Sequence, residues 1–422
     1  MLNSRIRQKD LNIFDNNFLM SNDVLQTDNT SYDYFIIVGD NSALLRSQPL
    51  KNFSKWKAIK GYKTKIVSIE ATGTSCSSIK NFIESEYNVN RKLGYVLFIG
   101  DDDRIPMYNK RSSRTSDILK SDYWYGCMDG DGDFQADVVV GRFSTNVVDE
   151  LKNMVNKTVA YESTDNQYAQ YVQLIANKEY APGKYQRCCE DIKIWIISKY
   201  GSAAYLGATV PSYTEANHCF DKILFKELLN NNTVNVGNLN AHIKNISERG
   251  DLTSKDNAFC YICGNDPALE IWTQRPQTFK KVTVSNQNDG IYINVDGVSD
   301  FMVSVVSKEG ELRYKKTSMS NSITLSDYNT EDLIYLSKHN YIPFKIEIQN
   351  SNPNTVYIQN RVFSGSETVN GDKIEVGYDV TSSIPYGNVI INNGANLRLN
   401  STSEMIIKNG FECQKGATFI VE

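Results

Sequence analysis

The sequence predicts an α/β unit built on a parallel sheet, followed by an antiparallel β-sandwich and a small β-module. Three observations predict it. Two continuous apolar runs, Tyr34-Phe-Ile-Ile-Val-Gly-Asp40 and Tyr95-Val-Leu-Phe-Ile-Gly-Asp101, end alike in Gly-Asp and are separated by amphipathic stretches. Strands buried on both faces of a parallel sheet read as such runs. Near residue 280 apolar and polar residues begin to alternate, with turn signals such as Asn288-Asp-Gly290, the period-two signature of antiparallel strands. From about residue 354 the apolar segments shorten and are punctuated by Gly371-Asp372 and Asn393-Gly394.

Residues 1–32 are polar, aperiodic and rich in Asn and Asp, and read as a flexible lead-in. After the strand at 34–38, residues 50–60 place Phe53, Trp56 and Ile59 three apart on one helical face. Gly61 stands where a helix C-terminus favours glycine. Residues 65–69 form the next strand, 77–87 a helix carrying Ile79, Phe82 and Ile83, and 95–99 a third strand. Such alternation implies right-handed βαβ crossovers. A strand at 137–142 and a helix at 147–161 complete a first subdomain, 33–165. A second, 166–276, reads as strand 171–176, helix 188–198, small-residue strand 202–207, helices 216–230 and 237–248, and strand 258–263. The sandwich is placed at 277–350 and the last module at 351–422. In the latter, 389–391, 397–399, 405–407 and 417–421 resemble rungs of a short solenoid.

The chain has 422 residues, 45 Lys and Arg against 49 Asp and Glu, a net charge of −4 and 41% hydrophobic residues. This composition excludes wholesale disorder. A near-neutral balance supplies no field to attract nucleic acid or anionic lipid, so neither is an expected partner. No stretch approaches the roughly 20 apolar residues of a membrane span. Residues 1–10 carry early charge without an apolar core, so no signal peptide is expected here. Eight cysteines at irregular spacing do not make a disulfide scaffold, and with three histidines a mixed Cys/His zinc site is not expected.

Asp129, Asp131, Asp133 and Asp137 fall within nine positions, with Gly130 and Gly132 between. Such carboxylates repel unless solvated or bound to a hard cation, and Ca²⁺ takes six to eight oxygen ligands. The spacing is not an EF-hand, because Phe134 and Val140 occupy the positions that require Gly and Glu. Two readings stand: a structural calcium loop, or a solvated acidic turn. No other cofactor is expected. Asp101-Asp-Asp103 follows a strand's carboxyl end, where α/β sheets place ligands, and reads as capping and solvation. Tyr123-Trp-Tyr125 is the best exposed aromatic cluster, while Cys260-Tyr-Ile-Cys263 lies in a strand and not at a redox-type helix start. His242 and His339 read as solvated or structural.

Several segments occur in a telling order: Tyr34-Phe-Ile-Ile-Val; Lys57-Ala-Ile-Lys-Gly61-Tyr; Val96-Leu-Phe-Ile-Gly-Asp101-Asp-Asp-Arg-Ile-Pro106; Ser121-Asp122-Tyr-Trp-Tyr125; Asp129-Gly-Asp-Gly-Asp133; Asp137-Val-Val-Val-Gly-Arg142; Gly201-Ser-Ala-Ala-Tyr-Leu-Gly-Ala-Thr209; and Gly264-Asn-Asp-Pro-Ala-Leu269. Together they resemble the gingipain-type cysteine peptidases, a caspase-like α/β family. The resemblance implies a caspase-like fold, an immunoglobulin-like sandwich after it, peptide-bond hydrolysis by a Cys thiolate, protein or peptide substrates, and an extracellular or cell-surface location. Residues 410–419 are similar to terminal β-modules of secreted bacterial surface proteins.

In that family a catalytic His, in an apolar strand, precedes a catalytic Cys at the end of the next. Both lie between the segments matching Gly141-Arg142 and Gly201-Ser202, an interval that is shortened here and contains no histidine. The counterpart of the nucleophile strand, 171–177, carries Ala176. A rebuilt dyad would need Cys188 or Cys189, at a predicted helix start that favours a thiolate, and His218. The alternative is that these cysteines pack under their helix and His218 lies on a loop ahead of helix 219–230. The resemblance therefore implies a cysteine peptidase homologue impaired in catalysis, with a non-catalytic surface or binding protein, or a gene fragment, as the other readings.

Overall fold

The computed structural model describes residues 32–422 apart from 165–202 and the short segments 41, 114, 131, 134, 210–211, 213, 231–232, 248–251, 288–289, 330, 347–354 and 382–383. The predicted lead-in, strand 171–176 and helix 188–198 lie outside the described residues. The chain divides into two compact units, one of residues 1–285 and 289–346, the other of 286–288 and 347–422.

The first unit is organised by β1 (Tyr34–Val38), whose residues are all buried. Alternate side chains of a strand point to opposite faces. Tyr34, Ile36 and Val38 accordingly join one core with Phe53 and Trp56 of helix α1 (Gln48–Ile59), while Phe35 and Ile37 join another. Ser47 caps α1 by accepting from the Leu50 N–H, and Gly61 turns the chain with φ +80°. Strand β2 (Thr64–Ser68) and the single turn α2 (Ile69–Thr72) lead to α3 (Cys76–Val89), which opens with a Ser75–Ser78 capping box. The buried Ile79 and Ile83 of α3 cover the second face, each stabilising by about 1.5–3 kcal/mol on leaving water.

Strand β3 (Tyr95–Ile99) pairs in parallel with β1, placing Ile36 beside Leu97. A small hairpin, β4 (Tyr108–Arg111) and β5 (Ile118–Ser121), precedes a 3-10 turn at Tyr123–Gly126. Strand β6 (Val139–Phe143) pairs in parallel with β3, and α4 (Val148–Ser163) returns over α1 with Leu151, Met154 and Val155 in the first core. Strand β7 (Tyr205–Ala208) is followed by α5 (Thr214–Asn230), α6 (Val236–Ser247), α7 (Leu252–Cys260) and β8 (Tyr261–Gly264). The sheet order is β2-β1-β3-β6-β8-β7, with β7 antiparallel to β8. Two expectations are corrected. Residues 258–260 are the end of a helix and not a strand, so Cys260 and Cys263 belong to different elements. His218 lies within α5 and not on a loop ahead of it.

The same unit continues in two antiparallel sheets. One has the order β13 (Ser322–Leu325), β10 (Gly290–Val295), β9 (Val282–Gln287). The other runs β12 (Leu312–Ser318), β11 (Phe301–Val306), β14 (Leu333–Ser337), β15 (Phe344–Ile346). The period-two pattern is legible in β10, where Ile291, Ile293 and Val295 are buried and their neighbours are not. Val306, Leu312 and Tyr335 complete the core that contains α1.

The second unit is a parallel stack. Strands β16 (Thr355–Ile358), β18 (Ser366–Val376), β20 (Asn396–Ile407) and β22 (Thr418–Val421) form one sheet. Strands β17 (Arg361–Phe363), β19 (Val389–Ile391) and β21 (Phe411–Cys413) form another. Their shared core holds Ile374, Val376, Val389, Ile391, Leu397 and Leu399. Gly371-Asp372 is not a turn; it lies within β18, at a shift in its register with β20.

Candidate functional site

The carboxyl ends of β3, β6 and β8 meet at one edge of the parallel sheet, where α/β proteins place ligands. Asp101 accepts there from the Ser144 hydroxyl at 2.7 Å, Asp103 from the Asn146 amide at 2.8 Å, and Asp102 from the Met107 N–H at 2.7 Å. Burial raises the Asp102 carboxyl, but the bonds from Lys120 and Met107 outweigh it and leave it below its ordinary value. The three aspartates thus cap the edge, as their sequence position implies.

Beneath the edge lies a buried ionic cluster. Lys57 of α1 is ion-paired with Asp266, just past β8, and stands 3.8 Å from Glu162 of α4. The Tyr34 hydroxyl donates to Asp266 at 2.8 Å, and the Trp56 indole to Glu162 at 2.6 Å. Lys60 joins Glu270 at 2.8 Å and Glu162 at 3.6 Å. Arg142 on β6 donates through Nε and Nη2 to Asp122. Every member of such a network must be partnered, because an unpaired buried charge is costly. Sequence reasoning missed these groups, although Arg142 within an apolar strand and Lys57 on the apolar face of α1 are detectable signals.

A small pocket with room for about one water is lined by Asp122, Tyr123, Lys244 and Cys263, among others. Burial pushes the Lys244 amine down to about 7. It also pushes the thiols of Cys127, Cys260 and Cys263 up to about 12. A nucleophilic sulfur requires the opposite shift.

The structure sorts the sequence candidates as follows. Cys188, Cys189 and Ala176 lie outside the described residues, as does the side chain of His218. His242, on α6, points Nδ1 at Glu227 Oε2, 3.2 Å away. His339 faces Thr273 Oγ1 through Nε2 at 2.9 Å. Among the described residues, no histidine is recorded in hydrogen-bond contact with a cysteine sulfur. Asp129, Asp133 and Asp137 each bring a carboxylate oxygen within 4.8 Å of the others; Asp131 is outside the described residues. Asp133 already accepts from the Asp129 and Gln135 N–H groups, and Asp137 from that of Met128. The Tyr123-Trp-Tyr125 cluster is corrected: Tyr123 and Tyr125 are buried, and Trp124 stacks on Tyr108 with centroids 4.0 Å apart.

Residues 27–192 match the family model for Peptidase family C25. Gingipain R2 of Porphyromonas gingivalis is 28% identical over 178 residues, which is 40% of this chain and 23% of that one. Lys-gingipain W83 from the same organism is 29% identical over 143 residues, 32% of this chain and 8% of that one. The chain thus spans less than a quarter of the length of the curated relatives it matches. Two solved structures share the fold. The complex of the pro- and mature domains of Porphyromonas gingivalis RgpB has a TM-score of 0.60 at 15% identity, covering 74% of this chain and 99% of that one. The Arg-specific cysteine proteinase gingipain R has a TM-score of 0.57 at 16% identity, covering 75% and 97%. Over residues 27–192 the chain thus matches the gingipain-type cysteine peptidase family, and it shares the caspase-like fold of the gingipain structures.

Proposed function

We propose that this chain is a gingipain-type homologue that does not hydrolyse peptide bonds and serves as a binding protein on the retained peptidase scaffold. The carrying observation is the interval between Gly141-Arg142 and Gly201-Ser202, which contains no histidine. Nucleophile and base act as a unit, so losing one removes most of the rate. The engagement of His242 and His339 with oxygen partners supports the reading, as do the raised pKa values of the three buried thiols.

The reading includes an extracellular or cell-surface location, a protein or peptide ligand for the α/β unit, and an immunoglobulin-like role for the antiparallel sheets. No described helix is long and apolar enough to cross a membrane. The test is a fluorogenic peptide library together with a thiol-reactive activity probe, applied to the full chain and to a Cys188→Ala/Cys189→Ala variant. The expected result is no turnover by either protein. Turnover by the parent that vanishes in the variant would establish a rebuilt dyad instead.

A further inference from the structure

The connections between the two sheets of the second unit differ in length. Two residues, 359–360, join β16 to β17, and three, 408–410, join β20 to β21. Twelve residues, 377–388, join β18 to β19. An insertion confined to one rung of a repeat maps to a loop on one face, often the binding face. Its described residues, 377–381 and 384–388, are braced from beneath. The buried Gln359 side chain donates to the carbonyls of Thr381 and Ile384 at 2.9 and 2.6 Å and accepts from the Thr381 N–H at 2.9 Å. Tyr378 N–H donates to the Asn409 carbonyl at 2.8 Å, and Gly387 N–H to the Tyr378 carbonyl at 3.1 Å. Val380 is buried below. Ordering a loop costs conformational entropy that a plain connection would not incur.

The braced loop holds two aromatic rings in solvent. Tyr378 and Tyr386 are 46% and 60% exposed, with centroids 6.3 Å apart and planes 35° from parallel. Single exposed apolar residues need no explanation, but two rings held together on a fixed base do. Exposed amides flank them. Asn360 N–H donates to the Gly387 carbonyl and Arg361 N–H to that of Asn388, each at 3.0 Å. Gly410, at φ +86°, leaves room between Tyr378 and the Asn388 amide; a Cβ there would meet Tyr378 Cβ at 2.6 Å and Asn388 Oδ1 at 3.0 Å.

We propose that Tyr378 and Tyr386, with Asn388, form a binding platform for neutral oligosaccharides. Ring faces stack on the C–H face of a pyranose, and an amide both donates to and accepts from hydroxyls. Asp379 is the loop's single ionised side chain, which disfavours anionic polymers and can accept a hydroxyl. This inference is independent of whether the α/β unit hydrolyses peptides.

The full chain should be applied to an array of neutral glucans, mannans, galactans and chito-oligosaccharides, and retained glycans titrated calorimetrically. Tyr378→Ala and Tyr386→Ala should each weaken binding about tenfold, with Asn388→Ala also weaker. Val362→Ala, an exposed residue of β17, should bind as the parent does. All variants should keep the parental melting temperature. No retained glycan, or affinity unchanged by both tyrosine variants, would overturn the platform. Binding confined to peptides and lost in the same variants would overturn the ligand class.

Discussion

The guanidinium of Arg142 grips the carboxylate of Asp122 with two parallel bonds, Nε to Oδ2 at 2.8 Å and Nη2 to Oδ1 at 2.7 Å. Its third arm, Nη1, donates to the Gly100 carbonyl at 2.8 Å. One side chain thereby ties β6, the end of β3 and the 3-10 turn together. Both partners are buried, so removing either strands the other. Arg142→Met and Asp122→Leu should each cost about 3–5 kcal/mol by urea unfolding, and the double variant less than their sum. Arg142→Lys should not restore stability, because an ammonium lacks the planar fork. A loss below about 1 kcal/mol in the single variants would contradict this account.

Acid should destabilise the first unit in two steps. His339 is held below its ordinary 6.5, first by burial and also by Lys60, with Glu270 opposing. Its depressed folded pKa means that its contribution is present above the unfolded value and lost as pH falls through the folded one. Glu270 is also depressed; burial raises it, but Lys60 outweighs burial. Its contribution is complete above the ordinary 4.5 and is lost at lower pH. Melting temperature should therefore fall below about pH 6.5 and again below about 4.5. His339→Gln should flatten the upper step only. A variant curve that overlays the parent across the upper window would rule out His339 as its source.

The acidic turn has two readings that one titration separates. A calcium loop through Asp129, Asp133 and Asp137 predicts binding heat and a raised melting temperature on adding Ca²⁺. Both effects should disappear in Asp133→Asn/Asp137→Asn and on chelation. A solvated turn predicts neither effect in the parent protein.

Much of the fold was legible because the signals were local. The β1 and β3 runs, the faces of α1 and α3 and the alternation in β10 each follow from one element's own periodicity. The errors have equally local causes. Residues 258–263 form one apolar run, and such a run cannot distinguish a buried helix end from a strand. Tyr123 and Tyr125 look exposed beside polar neighbours, yet they are buried against residues distant in sequence. Gly371-Asp372 reads as a turn but is absorbed by a register shift in β18. The Lys57–Asp266 pair joins positions 209 apart, and no single-sequence pattern reports such a pairing. The Asp cluster was visible because its members are close in sequence.

The lack of a histidine in the interval after Arg142 is tested most directly by catalysis itself. Purified full-length chain, under reducing conditions and with a broad fluorogenic peptide library, is predicted to release no product above a buffer blank. It is also predicted to gain no activity-probe label at Cys188 or Cys189. Sustained hydrolysis abolished by Cys188→Ala/Cys189→Ala or by His218→Ala would contradict the account.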